Sequence, residues 1–196
     1  MKKKLILVAA PPACGKTYVS ELLAREIGNA VYLDKDDLAP LLYRAFALCG
    51  EEMNMDSDFY RENLRSYEYE TIVGIALSSL RFSDTVILNA PFGKEVRDAD
   101  YMRALKAKAE ALGAQLILIW VHVSTDVCYE RIKARGLERD RHKLLDWDAY
   151  VKAINYRAPT ELCDKNALHS FFVFDNTNEE TAKKALADVL QLLGCS

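Results

Sequence analysis

The amino-acid sequence predicts an α/β fold built around a mostly parallel β-sheet, and two observations support that prediction. Five short runs of β-branched and apolar residues recur along the chain, and each run is continuous rather than alternating. Continuous runs are typical of strands that are covered on both faces. Helical patterns separate the runs, and strands that alternate with helices form parallel sheets. The 196 residues, of which 51% are hydrophobic, suffice for one core, so we expect a single domain over 1–196.

The five predicted strands cover 4–10, 30–34, 85–92, 115–123 and 171–177. The first helix follows the first strand directly. Its apolar face is marked by residues at helical spacing, namely Val19, Leu22, Leu23 and Ile27. Gly28 is placed to end this helix. A further helix is predicted over 95–112 with Gly113 as its stop, and the last one runs from a capping box at 177–180 to near Gly194.

One segment departs from the simple alternation of strand and helix. Between the second and third strands lie two helical stretches, about 37–48 and 57–81. Insertions in an otherwise regular scaffold commonly carry function. We therefore expect the insertion, about 38–81, to bind substrate rather than to build the core.

Charge, hydropathy and cysteine usage exclude several classes of protein. A net charge of −3 argues against non-specific nucleic-acid binding, so a nucleic-acid partner is not favoured. The amino-terminal apolar run ends at Pro11 and Pro12, too short for an export signal or a membrane span. We expect a cytoplasmic protein. The five cysteines are irregularly spaced without a zinc pattern, and we interpret them as reduced thiols.

The stretch VAAPPACGKT, residues 8–17, has nearly the spacing of a phosphate-binding loop. Its ending, Gly15-Lys16-Thr17, is intact, while Ala10 stands at the opening glycine. Such a loop presents backbone N–H groups to phosphates at a helix amino terminus. Gly15 lies where the chain must approach the phosphates closely, whereas a small residue suffices at position 10 if its φ stays negative.

This loop predicts a site for ATP and Mg²⁺. Lys16 would reach the β- and γ-phosphates, and the hydroxyl of Thr17 would bind the metal. We interpret Cys14 as a small filler in preference to a redox switch. The residues expected to contact the nucleotide are Pro11, Pro12, Ala13, Cys14, Gly15, Lys16, Thr17 and Tyr18.

A second motif, YLDKDDL, ends the second strand and places Asp34, Asp36 and Asp37 near the carboxyl edge of the sheet. Ligands of open α/β sheets bind at this edge. A phosphotransferase needs a carboxylate to accept the proton of the acceptor hydroxyl and to position it. The alternative is that Asp36 or Asp37 only caps the next helix.

APPACGKT followed by LDKDDL resembles the P-loop kinases that phosphorylate hydroxyls. These include polynucleotide 5′-hydroxyl kinases, chloramphenicol phosphotransferase, gluconate kinase and zeta-toxin-like enzymes. The resemblance implies a three-layer P-loop NTPase fold with a five-stranded parallel sheet of order 2-3-1-4-5. It also implies ATP as phosphate donor, a hydroxyl-bearing small molecule as acceptor, and Asp36 as catalytic base, with Asp34 and Asp37 beside the acceptor.

Residues 124–146 resemble the LID of these kinases, which we place at about 131–146. Ser124 can cap a helix on which Arg131 and Arg135 share a face, and a basic loop with Arg139 follows. The resemblance implies Arg135 as the leading residue that stabilises the transferring phosphoryl group, with Arg131 and Arg139 next. The alternative is a solvated surface on which acidic residues, Glu130, Glu138 and Asp140, pair with the arginines.

The third strand departs from the pattern of many P-loop enzymes, because Asn89 and Ala90 occupy the Walker B place. An amide adds no negative charge, so the metal would depend on Thr17, on Asp34 or Asp36, and on ATP itself. Asn89 is equally consistent with lining the acceptor pocket.

Two further polar residues are candidates for binding. Arg97 could hold an anionic part of the acceptor, with an ordinary surface arginine as the equal alternative. Asn176 lies where related kinases contact the adenine, although a turn and a helix cap explain it as well.

The sequence thus predicts an ATP-dependent kinase acting on a hydroxyl, and three rivals remain. A nucleoside monophosphate kinase would need arginines in the insertion, which Arg44, Arg61 and Arg65 could supply. A polynucleotide kinase would need a basic channel, whereas the insertion is acidic at Glu51, Glu52, Asp56 and Asp58. An ATP-binding regulatory module without phosphotransfer is the third.

Overall fold

The computed structural model describes residues 2–137 and 140–194 and contains one five-stranded parallel sheet. Its strand order is β2-β3-β1-β4-β5, as the resemblance to P-loop kinases implied. The predicted α/β fold is therefore confirmed. The strands are β1 (Lys3–Ala9), β2 (Val31–Asp34), β3 (Thr85–Asn89), β4 (Ala114–His122) and β5 (Ser170–Asp175).

Ten described α-helices lie between and after the strands, and two short 3₁₀ turns precede α2 and α5. The turns cover Lys35–Leu38 and Glu95–Arg97. The helices are α1 (Lys16–Ile27), α2 (Ala39–Cys49), α3 (Asp58–Asn63), α4 (Arg65–Ser79), α5 (Ala99–Ala111), α6 (Thr125–Arg135), α7 (Arg141–Leu145), α8 (Trp147–Ala153), α9 (Glu161–Asp164) and α10 (Glu179–Leu193).

Helices cover both faces of the sheet, which explains why the strand sequences are apolar without interruption. In β1, Leu5 and Leu7 pack into a core with α4 and α5, while Ile6 and Val8 pack into a second core with α1 and α10. Successive side chains of a strand point to opposite faces, so a strand between two helical layers needs apolar residues at every position. All four of these side chains are fully buried.

The strand register brings two polar side chains, Asn89 and Asp34, to one edge of the sheet. Val8 of β1 is level with Asn89 of β3, and Asn89 is level with Asp34 of β2. The chain leaves β1 directly after this level and enters the phosphate-binding loop. The carboxyl ends of β1, β2 and β3 therefore meet beside the loop.

Two predicted helix starts need correction, and in both cases a local side-chain cap decides the boundary. The helix predicted over 95–112 begins only after Asp98, whose carboxylate accepts hydrogen bonds from the N–H groups of Asp100 and Tyr101. The capping box predicted at 177–180 is formed one residue later. The side chains of Asn178 and Thr181 each accept a hydrogen bond from the other's backbone N–H.

The insertion forms three helices rather than two, because its second helical stretch is divided at Leu64 into α3 and α4. It has a small apolar cluster of its own, built on Leu42, Phe46 and Tyr60. Its first residues connect directly to β2 through the 3₁₀ turn. None of the helices in the described part of the chain is both long and apolar enough to cross a bilayer.

Candidate active site

The phosphate-binding loop adopts a conformation that requires positive φ at two positions, Ala13 (66°) and Gly15 (83°). Ala10 is not among the described residues with positive φ, so alanine satisfies the backbone requirement there. Among the described residues, no side chain caps the amino end of α1. The first N–H groups of this helix are thus available to an anion.

Gly15 is required for a second reason, which is the close approach of Asn176. A Cβ built on Gly15 would lie 2.3 Å from Nδ2 of Asn176. That amide nitrogen donates a hydrogen bond to the carbonyl oxygen of Cys14 at 2.9 Å. Asn176 therefore supports the loop itself, a role the sequence did not indicate, at the position predicted for adenine binding.

Arg131 also supports the phosphate-binding loop. Its guanidinium donates to the carbonyl oxygen of Cys14 at 3.4 Å and to that of Asn176 at 2.8 Å. The structure thus brings one predicted LID arginine to the loop. Its positive charge lies on the side of the loop formed by Cys14 and Asn176.

Lys16 lies at the first turn of α1, and its Nζ donates to Oδ1 of Asn89 at 2.9 Å. Burial lowers the pKa of Lys16 below its ordinary value, and the nearby carboxylates of Asp34 and Asp36 partly offset this effect. The ammonium group is therefore held at the carboxyl edge of β3, close to the loop.

Asn89, fully buried at the end of β3, connects the loop to β2. Its amide nitrogen lies 2.6 Å from Oδ2 of Asp34, 3.2 Å from Oγ1 of Thr17 and 3.3 Å from the hydroxyl of Tyr32. The amide accepts from Lys16 through its oxygen and donates to Asp34 through its nitrogen, whereas an ionised carboxylate could only accept. A carboxylate at position 89 would instead repel Asp34. The acidic group beside the loop is thus supplied by β2 rather than by β3.

Tyr32 and Ser20 complete this network, and sequence reasoning missed both. The hydroxyl of Tyr32 donates to Oδ2 of Asp34 at 3.2 Å and lies 3.3 Å from the hydroxyl of Ser20. Burial raises the pKa of Tyr32, so the hydroxyl keeps its proton for donation. The only sequence signal was position, since Tyr32 lies two residues before Asp34 and so shares its side of β2.

The oxygen atoms around Asn89 fit the preferences of Mg²⁺. Thr17 contributes a hydroxyl and Asp34 a carboxylate, and both contact the same amide nitrogen. Mg²⁺ is usually held by one or two protein oxygens together with phosphate oxygens and water. Within 2–137 and 140–194, no three His, Cys, Asp or Glu side chains are grouped closely enough to hold a metal alone.

Asp34, not Asp36 or Asp37, caps the turn that follows β2. Its Oδ1 accepts the backbone N–H of Asp36 at 2.9 Å. The capping interpretation of Asp36 and Asp37 is thus wrong for this turn. The side chain of Asp36 is 76% exposed, and its Oδ1 lies 3.4 Å from Nζ of Lys35.

Beyond Asp36 lies a group of buried ion pairs between the 3₁₀ turns and α4, which we call the paired-charge cluster (Lys35, Arg65, Glu68 and Glu95). Lys35 Nζ donates to Glu68 at 2.7 Å, and Arg65 makes two hydrogen bonds to Glu95, at 2.7 and 3.0 Å. The hydroxyl of Tyr60 also donates to Glu68. Sequence reasoning missed Lys35, Glu68 and Glu95, because such residues are usually exposed.

Helix α6 begins as predicted, since the hydroxyl of Ser124 accepts the N–H of Val127 at 3.3 Å. Arg135 Nε donates to Asp140 at 2.6 Å, and Lys143 donates to the other oxygen of the same carboxylate at 2.8 Å. Burial alone would raise the pKa of Asp140, but these two hydrogen bonds outweigh it and hold the pKa below its ordinary value. Arg135 is therefore paired with Asp140, one of the acidic residues named in the alternative interpretation. Arg139 lies outside the described residues.

Arg97 is engaged with the chain between α8 and α9. Its guanidinium donates to the carbonyl oxygens of Asn155 and Arg157 and lies 3.6 Å from a carboxylate oxygen of Glu161. It also lies 5.3 Å from the centre of the Trp120 ring. These contacts fix Arg97 against β4, and binding of an acceptor by Arg97 stays a prediction.

Cys14 lies against Cys128 of α6, with the two sulfur atoms 3.7 Å apart and both side chains buried. The hydrogen bond between the thiols and their burial raise the pKa of Cys14. A protonated, packed thiol agrees with the interpretation of Cys14 as a small filler.

The fold is shared with several solved kinase structures. A suspected kinase from Chloroflexus aurantiacus has a TM-score of 0.63 at 22% identity, covering 97% of this chain and 98% of that one. A sugar kinase from a Janibacter species has a TM-score of 0.59 at 14% identity, covering 99% and 96%. The APS kinase of Mycobacterium tuberculosis, in complex with AMPPNP and APS, has a TM-score of 0.54 at 16% identity, covering 98% of each chain. At these identities the likeness shows the fold.

The sequence comparisons assign the family. No curated protein sequence matches the chain significantly. A family model described as an AAA domain matches residues 5–159. Because this match includes the phosphate-binding loop, the network around Asn89, the insertion and α6, and covers well over half of the chain, the protein belongs to this AAA domain family.

Proposed function

We propose that this protein is an ATP-dependent kinase that transfers the γ-phosphate to a hydroxyl group of a small molecule. One observation carries the proposal. An exposed carboxylate, Asp36, follows directly on the network that joins Lys16, Thr17, Asn89 and Asp34 beside the loop. A phosphate-binding loop and a carboxylate for the acceptor hydroxyl are the two parts that this chemistry needs.

The phosphate-binding loop holds the donor. Its N–H groups and the amino end of α1 bind the phosphates, and Lys16 exchanges its hydrogen bond to Asn89 for one to a phosphate oxygen. Thr17 and Asp34 would hold Mg²⁺, which neutralises charge on the β- and γ-phosphates when it is bound. Asn89 fixes Asp34 and Thr17 relative to Lys16.

Asp36 acts on the acceptor. Its carboxylate accepts the proton of the acceptor hydroxyl and orients the oxygen toward the γ-phosphate. Asp34 supports this role by accepting the Asp36 N–H, which fixes the backbone of the base. Asp37, which is also exposed, contributes to the acceptor site.

The arginines of the LID stabilise the transferring group. Arg131 already lies against the loop, while Arg135 and Arg139 act when the LID closes over the triphosphate. Closure requires Arg135 to leave Asp140 or to bring Asp140 with it. The names of the similar structures, two of which are kinases of small molecules, agree with this assignment.

The test is transfer of labelled γ-phosphate from ATP across a panel of sugars, nucleosides, nucleotides, aminoglycoside and phenicol antibiotics and 5′-hydroxyl oligonucleotides. Replacing Asp36→Asn should leave ATP binding nearly intact and reduce transfer roughly 100-fold or more, because the proton acceptor is lost. Asp188→Asn, on the exposed side of α10, is the control, since it removes the same charge away from the proposed site.

Two results would contradict this assignment. Full activity in Asp36→Asn together with loss of activity in Asp34→Asn or Asp37→Asn would move the base to that residue. ATP binding without transfer to any acceptor would favour the regulatory module over the kinase.

A further inference from the structure

The segment that would hold the acceptor is more acidic than the chain as a whole. Residues 35–70 contain nine acidic and four basic residues, although the net charge of the entire protein is only −3. Most of these carboxylates are exposed, on the 3₁₀ turn after β2, on the loop between α2 and α3, and on α3 and α4. Such a surface repels anions and attracts cations.

Three of the four basic residues in this segment are held by carboxylates. Arg61 pairs with Asp58 at 2.6 Å on the surface of α3. Lys35 and Arg65 are the cationic members of the paired-charge cluster, and their partners Glu68 and Glu95 are buried. The fourth basic residue, Arg44, lies on an exposed part of α2.

The paired-charge cluster contacts the proposed base through Lys35, and its two cations share one aromatic ring. Lys35 Nζ lies 3.4 Å from Asp36 and 6.0 Å from the centre of the Tyr69 ring, and the Arg65 guanidinium lies 4.4 Å from the same centre. The hydroxyl of Tyr69 accepts the N–H of Phe92, three residues beyond Asn89. Arg65 thus lies on the Tyr69 ring beside Lys35, which contacts the proposed base, and both cations are already paired with buried carboxylates.

From these contacts we propose that the acceptor carries no phosphate or carboxylate group, being a neutral or amine-bearing hydroxyl compound, and that Glu95 enforces this choice by holding Arg65. The inference rests on the proposed function. Both terminal nitrogens of Arg65 donate to Glu95, so an anionic acceptor that took over these donors would leave the buried Glu95 carboxylate without its partner, which is strongly unfavourable. A neutral hydroxyl or an ammonium group requires no such exchange.

A binding experiment tests the role of Glu95 without any phosphotransfer. The protein is loaded with a non-hydrolysable ATP analogue, so that the phosphate-binding loop is filled, and inorganic sulfate is titrated by calorimetry. We expect no saturable sulfate binding to the wild type. Glu95→Gln keeps one hydrogen-bond acceptor for Arg65 but removes the charge, and should bind sulfate at least ~10-fold more tightly than the control Glu62→Gln. The double variant Glu95→Gln/Arg65→Gln should lose this binding.

The opposite outcome is equally clear. Sulfate binding by the loaded wild type that is abolished by Arg65→Gln would show that Arg65 is already an anion receptor, and would overturn the inference. Cooperative melting of each variant, followed by circular dichroism, establishes that the cluster substitutions leave the chain folded.

A second experiment uses acceptors that share a pyranose ring and differ mainly in charge, namely glucose, glucosamine and glucuronate. The kcat/KM for the neutral and amine-bearing members should exceed that for the carboxylate by at least ~10-fold. Preference for glucuronate would overturn the inference. Absence of transfer to any acceptor of the larger panel, with the sulfate results as expected, would reject the kinase and leave the assignment of Glu95 standing.

Discussion

Single residues at the phosphate-binding loop are constrained by partners that are distant in the chain. Gly15 has a φ of 83° and lies against Asn176, which comes 161 positions later. The loop is therefore held by the end of β5 as well as by its own glycine. A substitution that disturbs the loop backbone at Gly15 is therefore expected to disturb the contact with Asn176 as well.

This coupling can be measured with Gly15→Ala. The added methyl group meets Asn176 and the backbone keeps an unfavourable φ, so we expect a loss of about 1–2 kcal/mol or more in the free energy of unfolding, with weaker ATP binding. In the double variant Gly15→Ala/Asn176→Ala the steric conflict is absent. Denaturant unfolding of both single variants and the double variant should then give a double-variant cost smaller than the sum. Strict additivity would contradict the contact.

The amide of Asn89 can be tested by Asn89→Asp. The new carboxylate would lie within hydrogen-bond distance of Asp34, so the two charges repel and one carboxyl group acquires a raised pKa. A carboxyl pKa that is raised in the folded state costs stability, and this cost is absent below the unfolded pKa, grows as the pH rises and is complete above the raised, folded pKa. The melting temperature of the variant should therefore fall below that of the wild type at pH 8 and approach it toward pH 5.

The exposed Asn63→Asp on α3 serves as the control for this substitution, since it adds the same charge away from the network. A deficit of Asn89→Asp that is independent of pH would mean that the two carboxylates do not meet.

At the scale of elements, one carboxylate joins α6 to α7 in the segment predicted to be the LID. Asp140 is 1% exposed and receives both Arg135 and Lys143. Because its pKa is lowered in the folded state, its contribution is present above its unfolded pKa and disappears as the pH falls through its lower, folded value.

We expect Asp140→Asn to reduce the free energy of unfolding by about 1–3 kcal/mol at pH 7, through loss of two charge-assisted hydrogen bonds. The difference from the wild type should be constant above about pH 5 and shrink under more acidic conditions, as urea unfolding at several pH values would reveal. Asp148→Asn, on the exposed part of α8, is the control and should change stability little. A difference that grows on acidification would be inconsistent with this pairing.

The strands and the phosphate-binding loop could be predicted from the sequence far better than the ion-pair partners of individual side chains. The strands were recognisable because a sheet between two helical layers demands continuous apolar residues, and the loop because Gly15-Lys16-Thr17 has a fixed spacing. The partner of Arg135 was among three acidic candidates that spacing alone does not separate. The buried state of Glu68 and Glu95 had no signal in the sequence, because burial of a carboxylate depends on a cation from another element.

At the scale of the whole molecule, the proposed nucleotide site and the proposed acceptor site adjoin separately packed regions. The loop rests on the two cores of the sheet, whereas α2 and α3 share the small cluster around Leu42, Phe46 and Tyr60. Disturbing the small cluster should thus affect the acceptor site selectively.

Phe46→Ala tests this separation, since Phe46 is 1% exposed in the small cluster. Truncating a buried phenylalanine typically costs about 3–5 kcal/mol, enough to unfold α2 and α3 locally. We expect phosphate transfer to decrease at least ~10-fold while the Kd for ATP changes less than ~2-fold, as measured by calorimetry. Leu48→Ala, 69% exposed on the same helix, should leave both unchanged. Parallel loss of ATP binding in Phe46→Ala would show that the two regions are one cooperative unit.

Because Cys14 is packed against Cys128, the reactivity of its thiol reports how often the phosphate-binding loop opens. A buried, protonated thiol reacts with an alkylating reagent only while its surroundings are open. The rate at which Cys14 is alkylated, read by mass spectrometry, therefore counts openings of the phosphate-binding loop. Cys49, exposed at the end of α2, reacts in the same solution and calibrates the reagent. The two native cysteines thus supply both the reporter of loop opening and its reference, and no introduced label is needed.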